Sequence, residues 1–346
     1  MRESIFFASI RSFFIVLFGV TGLFFGAFLV AAIFGIFSLS TDGIPDLNYT
    51  YTTEIEPNAS GVRKIEVGNV PVILKLNITG VIGLDSLKRK DISELLIESR
   101  ERSLADDRVK AILLYIDSPG GTVTDSDGIY HALMAYKEKY KVPVYAFVDG
   151  LCASGGYYIA AAADKIFAGD TCLVGSVGVI GAQAMNFSQL MEKIGIQSIT
   201  LYDGKGKDSL NPFRPWRKGE EENIQAAINY YYQMFVNIVT DHRPSLSKSK
   251  LIDDYGASVY PAPIAKEHGY IDESGYTVEK TLQEILKVLN IEDDKYQVVS
   301  LENKNWINEL FHSKFGLLHG KVSHQVELLP GVPSELSNQF LYLYRP

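Results

Sequence analysis

Cysteine is scarce in this chain of 346 residues, since Cys152 and Cys172 are its only two and cannot build a disulfide framework. Neither belongs to a C-x-x-C motif or to a Cys/His pattern that would hold zinc. Basic charge is also in deficit: 33 Lys and Arg stand against 41 Asp and Glu, a formal net charge of −8. A nucleic-acid-binding protein needs a basic surface, so the composition argues against that class of partner.

Charge is missing altogether from residues 12–41, a run that is almost wholly apolar. About 20 such residues cross a bilayer as a helix, so this run predicts a membrane anchor. A cleaved signal peptide is the alternative, because residues 38–40 resemble a small-x-small cleavage site, but its apolar part would be only about 7–15 residues. Arg2 and Arg11 precede the run, which predicts a cytoplasmic N-terminus and an exported remainder.

The remainder alternates short apolar runs with helical patterns, which is typical of an α/β fold with a parallel sheet. We expect a cytoplasmic N-terminus and anchor over residues 1–45, a linker over 46–69, the main domain over 70–290, and a C-terminal extension of undetermined role over 291–346. Strands are predicted at residues 70–78, 111–117 and 142–149. Helices are predicted at residues 92–106, 126–140, 154–164, 220–243 and 277–289.

Two glycine-containing segments follow predicted strands. The first is Asp-Ser-Pro-Gly-Gly at 117–121, where glycines let the backbone turn sharply and offer N–H groups to a ligand. The second contains Ser154, Gly155 and Gly156 at the start of a helix. Ser154 has two interpretations: it is an ordinary helix-capping serine, or it is a nucleophile beside an oxyanion site. The sequence is not the G-x-S-x-G of α/β-hydrolases.

A nucleophilic serine needs a base, and none of the six histidines follows Ser154 closely. A lysine can replace histidine, provided that burial lowers its pKa and leaves a neutral amine. Lys205 and Lys207 lie in a glycine-rich loop before the long helix at 220–243. This loop is not a phosphate-binding P-loop, and taken alone it would be an ordinary solvated loop.

These motifs stand in an order that resembles the S49 family of Ser-Lys peptidases, and within it the short signal peptide peptidases. The order is D-S-P-G-G, A-S-G-G-Y-Y-I-A, T-C-L-V-G-S-V-G-V-I-G and G-K-G-K-D, and the match covers about residues 70–290. The resemblance implies that Ser154 is the nucleophile, that Lys207 is the general base and that Ser176 orients the lysine. It also implies that the backbone N–H groups of Gly121 and Gly155 form the oxyanion hole.

The resemblance further implies a crotonase-like or Clp-protease-like fold of stacked ββα units, no cofactor and no metal. It implies a membrane-bound serine endopeptidase of the bacterial inner membrane that degrades apolar peptides such as released signal peptides. Its partners would be peptide substrates, the membrane and other copies of the chain, since family members form rings in which Ser and Lys come from adjacent subunits. Cleavage is expected after small or apolar residues.

Several alternatives stay open from the sequence. Lys205 replaces Lys207 as the base if the alignment of the G-K-G-K loop is shifted. The protein could be the related inner-membrane protease SohB, with another substrate, or a crotonase-fold enzyme acting on acyl-CoA, or an inactive scaffold. A metal site at His312, His319 and His324 is disfavoured because their spacing matches no zinc pattern.

Overall fold

A computed structural model describes residues 5–41, 51–292, 295–303 and 339–344. The described residues form two separate units, the helix α1 (Ile5–Thr41) and a folded unit that begins at Tyr51. Within α1, the 21 residues Ile10–Val30 have a mean hydropathy of 2.5 and exposed side chains. By length and composition this helix can cross a membrane.

The folded unit contains ten strands and eight further α-helices among its described residues. The strands are β1 (Tyr51–Ile55), β2 (Val72–Ile82), β3 (Val109–Thr122), β4 (Val144–Ala153), β5 (Lys165–Ala168), β6 (Leu173–Gly175), β7 (Val259–Pro261), β8 (Glu273–Ser274), β9 (Gln297–Asn303) and β10 (Leu341–Leu343). The helices are α2 (Arg89–Glu98), α3 (Val123–Tyr140), α4 (Gly155–Ala160), α5 (Ser188–Ile194), α6 (Glu222–His242), α7 (Lys248–Lys250), α8 (Ala262–His268) and α9 (Val278–Leu289).

All the strands belong to one mixed sheet. Its main path runs β1-β9-β2-β3-β4-β5-β8, while β10 pairs with β3, and β6 lies between β4 and β7. The pairs within the path are parallel except for β1 with β9, and both β10 and β7 pair antiparallel. The α/β class and the central parallel strands predicted from the apolar runs are confirmed.

The core lies on both faces of β3, as expected for a central strand in which successive side chains alternate between faces. Ile112, Leu114 and Ile116 pack on the face that carries α3 and α4. Ala111 and Leu113 pack on the opposite face, with side chains of α9. The sheet is therefore covered on both sides around the strand that ends at the glycine motif.

Strand β3 is longer than the sequence predicts. It continues to Thr122 through residues 117–121, where a turn was expected. The extension forms because β2 pairs with Gly120 and Gly121 after a register shift, while β10 pairs with the same residues from the other side. The glycine motif is thus an irregular extended strand with hydrogen-bonded neighbours on both edges.

Segments near the N-terminal and C-terminal ends of the folded unit pair with each other in the sheet. Strand β1 lies within the predicted linker and pairs antiparallel with β9, which lies within the predicted C-terminal extension. The predicted helix at 92–106 is shorter, since α2 ends at Glu98 and Arg102 has a positive φ of 48°. Short strands with distant pairing partners, and single left-handed residues, leave little periodic signal in a sequence, which explains both differences.

We predict that Ile112→Ala lowers the free energy of unfolding by about 2–5 kcal/mol, because it leaves a cavity in the core. Ile97→Ala is the matched control: Ile97 is 61% exposed on α2, so its loss changes stability by about 0.5 kcal/mol or less. Urea unfolding of both variants measures the difference. Equal effects would contradict the assignment of β3 to the core.

Candidate active site

Ser154 lies in the sharp turn between β4 and α4. Its backbone has φ of 54° and ψ of −117°, a conformation that residues with a side chain rarely adopt. It occupies the cap position of α4, yet its side chain makes no capping hydrogen bond. The residue is 1% exposed, and its N–H donates to the carbonyl of Gly175 at 2.9 Å. The interpretation of Ser154 as an ordinary helix-capping serine therefore fails. Backbone strain of this kind costs about 1–3 kcal/mol and is concentrated at functional sites.

Ser176 lies beside Ser154 because of strand register. Strands β4 and β6 are parallel, with Ala153 opposite Gly175, and the residue that follows each strand is a serine. Ser176 also has a positive φ, of 56°, and its N–H donates to the carbonyl of Ser258 at 2.7 Å. The sheet therefore brings two of the three predicted catalytic side chains to adjacent strand ends.

The backbone N–H groups of Gly121 and Gly155, which are predicted to form the oxyanion hole, border one small space. A Cβ added to Gly120 would lie 2.6 Å from the backbone nitrogen of Gly155, and one added to Gly155 would lie 3.2 Å from the backbone nitrogen of Gly121. Gly120 has φ of 97°, so a side chain there would be strained as well as crowded. Glycine is required here because backbones approach too closely for any side chain.

The carbonyl oxygen of Tyr342, from β10, lies in the same space. It would collide with a Cβ on Gly120 and would lie 3.1 Å from a Cβ on Gly155. In the β10–β3 ladder Tyr342 is the register partner of Gly121. Sequence reasoning missed this contact, because residues 339–344 carry no motif and lie far along the chain from the glycines.

The structure does not bring the predicted lysine to the serines. Lys207 and Lys205 are both exposed, and in the described part of the chain neither ammonium group forms a hydrogen bond or an ion pair with Ser154 or Ser176. The backbone N–H of Lys207 donates to the carbonyl of Gly204 at 3.2 Å, within the same loop. Among the residues that the structure describes in one copy, none provides the burial that a lysine base requires.

The loop is nevertheless well anchored just after Lys207. Arg214 is 2.6 Å from Asp208 through Nε and 2.8 Å from Glu220 through a terminal nitrogen. Hydrogen bonds from Arg214, and then from Asn211, lower the pKa of Asp208. A planar guanidinium that bridges two carboxylates fixes the geometry of both. This Asp208–Arg214–Glu220 clamp holds the base of the loop while leaving Lys207 pointing outward.

Other potentially reactive groups are engaged elsewhere. Cys152 and Cys172 are buried free thiols, and burial raises the pKa of Cys152. His242 contacts Tyr130 and the carbonyl of Ile238. His131 pairs with Asp127, and His268 stacks on Tyr255. The remaining candidates for a metal site, His312, His319 and His324, lie outside the described residues.

We predict that Arg214→Ala speeds amide hydrogen exchange in residues 208–220 by about tenfold or more, because two carboxylates lose their shared cation. Arg217→Ala is the matched control, since Arg217 is exposed and lies 3.8 Å from Glu220. Exchange followed by mass spectrometry resolves this segment from α6. Unchanged exchange in Arg214→Ala would mean that the clamp does not hold the loop.

Known proteins are similar to this chain over the region that contains these motifs. The model of "Peptidase family S49" matches residues 121–291. A putative protease of Methanocaldococcus jannaschii is 36% identical over 234 residues, which cover 65% of this chain and 74% of that protein. A putative signal peptide peptidase SppA of Enterococcus faecium is 34% identical over 228 residues, 64% of each chain.

A solved structure, a mutant ClpP1 of Listeria monocytogenes, superposes with a TM-score of 0.40 and 18% identity. It covers 60% of this chain and 93% of that one, a similarity too distant to support a further argument. The family expected from the sequence is confirmed by the two relatives and the family model: this chain belongs to peptidase family S49 and is a serine-type peptidase.

Proposed function

We propose that this protein is a membrane-anchored endopeptidase that degrades apolar peptides, such as released signal peptides, with Ser154 as nucleophile and Lys207 as base. The observation that carries the proposal is the strained, uncapped Ser154 beside Ser176 and the glycine space at Gly121 and Gly155. A serine held in this way, next to backbone N–H groups, suits attack on a carbonyl whose oxygen becomes negative.

The proposed reaction uses these groups together with the amine of Lys207. Ser154 Oγ attacks the peptide carbonyl carbon while its proton passes to the amine of Lys207, and the N–H groups of Gly121 and Gly155 stabilise the oxyanion. The C–N bond then breaks, and the lysine returns the proton to the leaving amine. Water hydrolyses the acyl-enzyme by the same route. Ser176 orients the lysine amine.

A second copy of the chain supplies Lys207 in this proposal. The loop and its flanks expose many large apolar side chains, which is unusual for a surface that meets only water. They are Leu190, Ile194, Ile196, Ile199, Leu201 and Phe213. Docking of this surface on a neighbouring subunit would cover these side chains and bury the lysine next to a serine, as in the rings expected from the resemblance.

The proposed class of substrate is inferred from the position of the enzyme at the membrane. An apolar helix that can span a bilayer precedes the folded unit, and Arg11 lies at its N-terminal end. The positive-inside rule then favours a cytoplasmic N-terminus and an exported peptidase unit at the inner membrane. Extended apolar peptides left in the membrane after protein export are the substrates available at that position. The similarity to the putative signal peptide peptidase of Enterococcus faecium supports the same choice.

We predict that Ser154→Ala abolishes hydrolysis of a fluorogenic apolar peptide, a loss of about ten thousand-fold or more. The stability of the variant should change by only about 0.5 kcal/mol, because the hydroxyl caps nothing. Ser258→Ala is the control: Ser258 contacts Ser176 through its backbone carbonyl, so its side chain is dispensable. A folded Ser154→Ala protein with normal activity would refute the nucleophile.

We predict that Ser154→Ala and Lys207→Ala subunits, each inactive alone, regain activity when they are co-assembled. In a random equal mixture about one quarter of the sites pair an intact serine with an intact lysine from the neighbour. Lys205→Ala alone should keep most of its activity. Peptide hydrolysis by coexpressed, doubly tagged complexes measures this recovery. An inactive mixture would contradict a site shared between subunits. If Lys205→Ala is inactive and Lys207→Ala is active, the general base is Lys205 instead.

A further inference from the structure

The ladder between β2 and β3 changes register just before the two glycines of the motif. Thr79 pairs with Asp117, but the next pair joins Val81 to Gly120. One residue of β2 therefore faces two residues of β3, which is the arrangement of a β-bulge. A bulge interrupts the regular ladder, so the backbone polar groups at this level need partners from elsewhere.

The side chain of Ser118 bridges the bulge. Ser118 is fully buried, and its hydroxyl donates to the carbonyl of Gly80 on β2 at 2.6 Å. The same oxygen accepts the N–H of Gly120 on β3 at 3.1 Å. A hydroxyl is both a donor and an acceptor, so this one side chain links the two strands where the ladder is interrupted.

The bridge ends one residue before a group of the proposed oxyanion hole. Gly120 has φ of 97° and is followed by Gly121, whose N–H is one of the two proposed donors. The peptide unit between the two glycines rotates with the backbone of Gly120, and glycine restricts that rotation less than any other residue. The hydrogen bond to Ser118 therefore limits the directions that the N–H of Gly121 can take.

Ser118 also contacts the segment that carries the second proposed donor. A Cβ added to Gly156 would lie 3.0 Å from the carbonyl oxygen of Ser118 and 3.2 Å from its Cβ. Gly156 directly follows Gly155 in the first turn of α4. One buried serine thus contacts both backbone segments that border the space next to Ser154.

The other edge of β3 is bridged separately. Toward β4 the register also shifts, between Ile116 and Ser118. A carboxylate oxygen of Asp117 accepts the N–H of Leu151 there at 2.9 Å. Removal of the Ser118 hydroxyl therefore leaves the bridge to β4 in place, and with it the strand that leads to the nucleophile.

We propose that Ser118 is a positioning residue for peptide hydrolysis, because its hydroxyl holds Gly120 and thereby directs the N–H of Gly121 at the oxyanion. This inference rests on the proposed function. Ser118 forms no bond with the substrate and acts through the backbone alone. The negative charge on the carbonyl oxygen develops in the transition state, so a misdirected donor lowers kcat and leaves substrate binding nearly unchanged.

The variant Ser118→Ala, in the full chain purified in detergent, tests the role with the fluorogenic apolar peptide. We expect kcat to fall about tenfold to a hundredfold and KM to change by less than about twofold, since a displaced donor costs less than a removed one. Ser99→Ala is the matched control. Ser99 is equally buried, donates to the carbonyl of Leu96 at 2.7 Å and lies 3.0 Å from the hydroxyl of Tyr136.

The control separates positioning from stability. Ser99→Ala also removes two buried hydrogen bonds, but in the contact between α2 and α3, so its kcat should stay within about twofold of the wild type. Urea unfolding of both variants should show similar losses of stability. Equal losses of kcat in the two variants would trace the effect to stability and overturn the positioning role.

A peptide aldehyde distinguishes the transition state from ground-state binding. Ser154 Oγ bonds to the aldehyde carbon, the C=O electron pair moves to the oxygen in the oxyanion hole, and the serine proton passes to the lysine amine. Ser118→Ala should weaken inhibition by the aldehyde at least about tenfold, and inhibition by the matching peptide alcohol less than about twofold. Equal weakening of the two inhibitors would overturn the inference.

A second variant covers the case in which Ser118→Ala fails to fold. Ser118→Cys nearly keeps the side-chain volume, but a thiol is a weak donor and a weak acceptor. Its kcat should lie at least about threefold below that of the wild type, again with little change in KM. A folded Ser118→Cys enzyme with wild-type kcat would overturn the role of the hydroxyl.

The outcomes separate this inference from the proposed function. If the wild type hydrolyses the peptide and Ser118→Ala keeps its kcat, the positioning role is overturned and the peptidase assignment stands. A wild-type enzyme that neither hydrolyses the peptide nor binds the aldehyde refutes the proposed function itself.

Discussion

The close approach of backbones at Gly120 and Gly121 is the constraint on which the site depends. A Cβ on Gly121 would collide with the carbonyl of Ile82 in β2, and one on Gly120 with the carbonyl of Tyr342 in β10. Because neither glycine carries a side chain, β3 can continue past its regular part with partners on both edges. The same packing leaves backbone N–H groups, rather than side chains, facing the space next to Ser154.

The strain at the two serines is offset by the structure around them. Ser154 and Ser176 both have positive φ, and each follows a strand whose neighbours fix its end. Behind Ser154, Tyr157 and Tyr158 are fully buried, and their hydroxyls donate to the carbonyl of Tyr270 and to Asp127. Fully buried rings whose hydroxyls are hydrogen-bonded can hold a costly backbone conformation in place.

Much of this arrangement could be predicted from the sequence, for identifiable reasons. The continuous apolar runs at 111–117 and 142–149 indicated buried parallel strands, and the small residues around Ser154 indicated a tight strand-to-helix turn. Strands β1, β9 and β10 could not be predicted, because each depends on pairing partners that are distant in the chain. The contact between Tyr342 and the glycines is of that kind: it joins positions more than two hundred residues apart and has no local signal.

The incompleteness of the single chain is itself informative about mechanism. Lys207 projects from a loop that the clamp of Asp208, Arg214 and Glu220 holds firmly, so its outward direction is a property of the fold rather than of a loose segment. The space at Gly120 and Gly155 meanwhile holds the carbonyl oxygen of Tyr342, from β10. Under the proposed mechanism, the residues that the structure describes in one copy therefore form the nucleophile side of the site without its base. Activity would then require assembly, because a neighbouring copy brings the lysine to the serines.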